Sequence, residues 1–173
     1  MAAPAAAAEA RVAEQRALQA TFLYHFTKFV EWPDAAFDSP DTPFRLCVVG
    51  DDPFGDLLDR VVRGERAAGR PIEVERHPLP GSARGCQIVY LPDALDSELV
   101  GGLPGFDEGL VLTVGETAAF LRQGGMLRFL EREGRIALAV NEQARRRSRL
   151  HVSSKLLQLS QRVRPEPEAG QGD

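Results

Sequence analysis

Residues 20–33 read A-T-F-L-Y-H-F-T-K-F-V-E-W-P, and this stretch constrains the fold more than any other. Wound as a helix at about 100° per residue, it and Leu18 place Phe22, Leu23, Phe26, Phe29, Val30 and Trp32 on one half of the cylinder. Thr21, Tyr24, Thr27, Lys28 and Glu31 fill the other half, and His25 falls inside the apolar arc near Trp32. Pro33 disfavours helical geometry at Trp32, so a helix that begins near Ala10 is expected to stop there. The plain reading is a core helix with an aromatic stripe.

A chain of 173 residues is about one domain and can bury a core without metals or multiple staples. Hydrophobic content of 43% and charged content of 27% are those of a soluble globular protein. The net charge of −4 argues against a general nucleic-acid binder. No apolar run approaches the roughly 18 residues of a membrane span. The opening M-A-A-P-A-A-A-A-E-A lacks the basic and leucine-rich parts of a signal peptide. It suits either a cytoplasmic chain or a mature exported chain carrying an added start Met. Residues 1–9 are expected to be a disordered extension, 10–163 a single domain, and 164–173 a disordered tail.

Along the chain, apolar runs at residues 44–50, 87–91 and 109–114 read as buried strands, and residues 72–76 alternate as a half-exposed one. Helices are expected over 53–62, 94–100, 116–122, 141–147 and 153–163. Glu133-Gly134 between residues 126–131 and 135–140 is a hairpin signal. Strands alternating with helices and ending in a hairpin predict an α/β fold. It should be one compact domain with a mixed, mostly parallel central sheet of about five or six strands flanked by helices.

Several residue groups could carry chemistry. Asp51 and Asp52 follow a strand, where open α/β sheets place ligands, and with Asp93 they could hold Mg²⁺ as in a phosphoacceptor domain. Neither lysine, Lys28 or Lys155, follows a late strand as that constellation requires, and a turn with helix-capping acids before Pro53 explains the pair better. His25, His77 and His151 show no metal-ligand spacing. Ser153-Ser154-Lys155 departs from S-x-x-K, and Ser153 is better placed as a helix cap. Arg145 to Arg149 form a basic helix end, which either faces the helix dipole or meets an acidic partner or anionic lipid. On the residues alone, Cys47 and Cys86 are as readily two buried thiols as a bridge.

Five blocks, taken in order, resemble the YfiR-like family of small bacterial periplasmic regulators. They are the helix at 20–33, L-C-V-V-G-D-D-P-F-G at 46–55, G-C-Q-I-V-Y-L at 85–91, L-T-V-G-E-T-A-A-F-L-R-Q-G-G-M-L-R-F at 112–129, and H-V-S-S-K-L-L-Q-L-S at 151–160. Arg149 departs from the pattern, standing where a glycine is common. The resemblance implies a non-enzymatic periplasmic protein, without cofactor, that represses an inner-membrane diguanylate cyclase or related sensor by binding its periplasmic domain. Cyclic-di-GMP output and biofilm formation would follow. It also implies a Cys47–Cys86 disulfide, whose 39-residue loop should stabilise the chain by about 4 kcal/mol, and it leaves room for a homodimer. The partner surface is expected at Tyr24, Lys28, Trp32, Arg145, Arg146 and Arg149. Two alternatives stand beside it: a cytoplasmic phosphoacceptor or Mg²⁺ enzyme using Asp51 and Asp52, and a periplasmic small-molecule binding module.

Overall fold

The first helix, α1, spans Ala3–Phe29 in a computed structural model that describes residues 3–92 and 101–163. Its start is earlier than expected and takes in residues 3–9, because the alanine run there has the highest helix propensity and Pro4 sits in the first turn. Its end is also earlier than Trp32. Val30–Glu31 (β1) leaves the helix and pairs antiparallel with His151–Val152 (β9), and the Phe29 carbonyl accepts a bond from the Ser153 amide at 2.8 Å. A non-local pairing thus replaces the last helical turn. Ala20, Leu23, Phe26 and Val30 form the buried stripe, whereas Leu18 and His25, both assigned to the apolar arc, are exposed.

The central sheet contains β2 (Phe44–Val49), β3 (Arg66–Ala67), β4 (Arg70–His77), β5 (Ile88–Tyr90), β6 (Leu112–Gly115), β7 (Leu127–Arg132), β8 (Arg135–Asn141) and β10 (Ser160–Val163). Their order is β10-β8-β7-β6-β5-β2-β4-β3. The pairs β2–β4, β2–β5, β5–β6, β6–β7 and β8–β10 are parallel, and β3–β4 and β7–β8 are antiparallel. The sheet is therefore mixed and mostly parallel, and two short edge strands widen it to eight. One of these, β10, falls in the stretch expected to continue the last helix; α5 stops at Leu159, and residues 160–163 join the edge of β8. The β7–β8 hairpin turns at Glu133-Gly134, both with positive φ (53° and 77°), the backbone of a two-residue primed turn.

Helices cover both faces. Side chains alternate along each strand, so Leu46, Val48, Ile88, Tyr90, Leu112 and Val114 pack under α1 and α2 (Leu57–Val62). Cys47, Val49, Val89 and Leu91 face the other way, toward Leu103, Phe120 and Leu121, the last two from α3 (Ala118–Arg122). α4 (Glu142–Arg147) is capped by Asn141, whose Oδ1 accepts from the amides of Gln143 and Ala144. Ser153 caps α5 (Ser154–Leu159) through the Lys155 amide. The helix expected at 94–100 lies outside the described residues, as does Asp93.

Candidate functional site

The surface residues expected to meet a partner fall into two groups. Tyr24 and Lys28 sit one helical turn apart on α1, with the Lys28 ammonium 5.5 Å from the Tyr24 ring centroid. The Tyr24 hydroxyl donates to Glu65 Oε2 at 2.8 Å, and Lys28 Nζ donates to the Arg66 carbonyl at 2.6 Å. These bonds tie the exposed face of α1 to the turn between α2 and β3. The bond to Glu65 raises the Tyr24 pKa.

The second group surrounds α4. Arg146 and Arg149 are exposed. Arg145 is half-buried and turned inward, its Nη2 2.6 Å from Glu142, which is itself buried and also meets Arg162 at 3.4 Å. The Arg149 amide donates to the Gly109 carbonyl at 2.8 Å, so the segment is anchored by its backbone while its side chain faces water. The β1–β9 pairing sets the end of α1 beside the strand that follows Arg149 and Leu150. Sequence separation gave no sign of that proximity.

Trp32 has a different place from the one expected. Its indole meets Phe44 edge-on at 4.9 Å, and Nε1 donates to the Gln87 carbonyl at 3.0 Å. Gln87 is buried and makes two further bonds: Oε1 accepts from the Arg45 amide, and Nε2 donates to the Ala36 carbonyl, each at 2.7 Å. Trp32 and Gln87 thus pin residues 32–36 against the starts of β2 and β5. No local signal in the sequence marks Gln87, because its partners lie 42 and 51 residues away.

At the opposite end of the strands, Asp52 is already engaged. Its Oδ1 accepts from the Phe54 amide at 2.7 Å, and its Oδ2 lies 2.6 Å from Arg76 Nε. Arg76 also binds Asp59, whose pKa is lowered by that hydrogen bond. Asp51 is exposed. Nearby, Arg16, Gln19 and Glu116 form a network with buried Tyr90: Arg16 Nη1 lies 2.7 Å from Glu116 Oε1 and 3.2 Å from the Tyr90 hydroxyl. Burial, then the neighbouring Glu116, pushes the Tyr90 pKa far above its ordinary value. This network, also missed from sequence, holds α1 on the carboxyl ends of β5 and β6.

Cys47 and Cys86 are bridged across β2 and the start of β5, with Cα atoms 6.0 Å apart. The bridge lies on the sheet face away from α1. Register places Glu75 opposite Cys47, and His77 lies two residues farther along the same face of β4. His77 Nε2 is 3.0 Å from Glu75 Oε1, and Glu75 Oε2 is 2.9 Å from Arg45 Nε. Gly85 (φ +70°) lets the chain pass there, since a Cβ would meet the Arg45 guanidinium at 2.8 Å.

A cavity of about 380 Å³ opens between α3, α4 and the 106–109 loop. Arg122, Arg147, Asn141 and Thr113 are among the residues that line it. No helix among the described residues is long and apolar enough to cross a membrane. Residues 16–161 match the model of a family described as YfiR/HmsC-like. No curated protein matches the chain.

Proposed function

The chain belongs to the YfiR/HmsC-like family, and from that premise we propose that it is a periplasmic, non-enzymatic regulator of an inner-membrane diguanylate cyclase. It acts by binding the cyclase's periplasmic domain. The observation that carries this reading is the family match over residues 16–161, the region that builds the sheet up to the first half of β10. The Cys47–Cys86 bridge supports an oxidising compartment.

Restraint of a cyclase is a shift of populations. The regulator must bind the inactive form of its partner more tightly than the active form, and each 1.4 kcal/mol of that difference changes the ratio about tenfold. The contact surface in this proposal comprises Tyr24 and Lys28 on α1 with Arg146 at the end of α4 and Arg149 just after it. Trp32 and Arg145 set the backbone behind it, through Gln87 and Glu142. Exposed cations against an acidic partner face give orientation and on-rate.

A second reading has one observation in its favour. Arg147 and Ser148 line the 380 Å³ cavity and belong to the same segment as Arg146 and Arg149. A small anionic ligand there would shift the basic segment and so relieve restraint. The phosphoacceptor alternative is disfavoured by the commitment of Asp52 to Arg76 and the Phe54 amide.

The test is removal of the gene in the native host, with cyclic-di-GMP measured in the cells. A rise that is reversed by the wild-type chain, but not by the Lys28→Glu/Arg146→Glu/Arg149→Glu variant, supports the proposal. An unchanged level contradicts it.

A further inference from the structure

Cys47, Cys86, Glu75 and His77 converge on one point of the sheet face opposite α1. One donor atom from each, the two sulfurs, a carboxylate oxygen and an imidazole nitrogen, all lie within 4.8 Å of one another. Three strand positions and one loop position deliver them: β2 supplies Cys47, β4 supplies both Glu75 and His77, and the loop just before β5 supplies Cys86. The cysteines are buried, and His77 and Glu75 are partly open to solvent, which leaves a path of entry. While the sulfurs are joined they are poor ligands, so the oxidised chain holds only half of a coordination set.

We propose that reduction of the Cys47–Cys86 bridge turns this cluster into a tetrahedral Cys₂HisGlu site for Zn²⁺. The proposal is independent of the regulatory reading above. The steps balance as follows. A dithiol reductant supplies two electrons and two protons, the S–S bond breaks, two thiols form, and the reductant closes to its own disulfide. Zn²⁺ then displaces both thiol protons as two Zn–S bonds form, while neutral His77 donates through Nε2 and Glu75 through a carboxylate oxygen.

Geometry supports the second step. Zn–S bonds of about 2.3 Å and Zn–N or Zn–O bonds of about 2.0 Å place tetrahedral ligands roughly 3.3 to 3.8 Å apart. The donors already lie within about 1.5 Å of those separations, apart from the two sulfurs, which must open from their covalent contact. The bond between His77 Nε2 and Glu75 Oε1 gives way to a shared metal, and the Glu75 oxygen facing Arg45 keeps its ion pair. Two thiolates and a carboxylate around a divalent ion leave one negative charge, which the Arg45 guanidinium offsets from the outer shell. Two thiolates with one imidazole favour Zn²⁺ over hard cations such as Mg²⁺.

The experiment uses the full chain, reduced by a phosphine without oxygen and titrated with Co²⁺ as a spectroscopic stand-in, then with Zn²⁺. The expected result is one Co²⁺ per reduced chain, with thiolate charge-transfer and intense tetrahedral d–d bands bleached by Zn²⁺, and no such spectrum from the oxidised chain. His77→Ala and Glu75→Gln, with both cysteines intact, should each weaken Zn²⁺ binding about 100-fold or more. Arg45→Gln should cost the tenfold to hundredfold typical of an outer-shell change. Near-UV dichroism reports whether the reduced chain keeps its fold. Binding indifferent to His77 and Glu75 would mean thiols acting alone and would overturn the site. So would a reduced chain whose native dichroism is lost and is not restored by Zn²⁺.

Discussion

Replacing Gln87 should weaken the fold far more than its single amide suggests. The side chain is 1% exposed and holds two main-chain groups, the Arg45 amide and the Ala36 carbonyl, at 2.7 Å each. Gln87→Leu keeps the volume and removes both partners. A buried main-chain group left without a partner costs about 1–3 kcal/mol, so two cost about 2–6. Ala36 is half-buried, and its carbonyl can regain water, which moves the expectation to about 2–4 kcal/mol. Gln87→Ala adds a cavity and should cost about 1 kcal/mol more. Urea unfolding with the disulfide intact measures both, and total stabilities of about 5–15 kcal/mol leave such losses easy to resolve. Trp32 fluorescence should change in parallel, because its Nε1 bond ends on the same residue. A loss below about 1 kcal/mol for Gln87→Leu would refute the view that Gln87 pins residues 32–36.

Three further outcomes follow from the geometry. Cys47→Ala with Cys86→Ala frees a 39-residue loop and should lower stability by about 4 kcal/mol in the same urea assay. Asn141→Ala strips the cap of α4 and removes one of two donors to the Leu121 carbonyl, which keeps the Gly124 amide, an expected loss of about 1–2 kcal/mol by thermal or urea unfolding. Tyr90, with its pKa raised by burial, stays neutral in the folded chain. Its contribution is full below the unfolded tyrosine pKa of about 10 and is lost as pH rises past that value, since the unfolded chain alone ionises. Ultraviolet titration should therefore show Tyr90 ionising only with unfolding, and Tyr90→Phe should flatten the alkaline fall in stability.

Local signals explain what could be read in advance. The Glu133-Gly134 turn, the Ser153 cap and the apolar strand runs depend on neighbours a few residues away, and the structure has them where those neighbours place them. The disulfide came from resemblance to a family rather than from spacing. What escaped depends on distant partners. The end of α1 is set by β9, more than a hundred residues on, and β10 owes its strand state to the open edge of β8. Trp32 falls on the apolar stripe and also in the expected partner surface, and nothing nearby announces Phe44 and Gln87 as its partners. Alternation along β4 does put Glu75 and His77 on one face, yet only the parallel register with β2 brings that face to Cys47.

The proposed function has this chain bind a membrane cyclase through the surface formed by α1, the end of α4 and the residues just after it. The most direct measurement mixes the oxidised full chain with a detergent-solubilised diguanylate cyclase from the same host and follows binding and cyclic-di-GMP synthesis together. The account predicts saturable binding that lowers synthesis. Both effects should fall at least about tenfold with Lys28→Glu/Arg146→Glu/Arg149→Glu; Lys28→Glu also gives up the bond to the Arg66 carbonyl, so near-UV dichroism and urea unfolding check that the variant keeps its fold. Binding and inhibition unaffected by that variant would contradict the surface, and no inhibition by the wild-type chain of any membrane cyclase from that host would contradict the function.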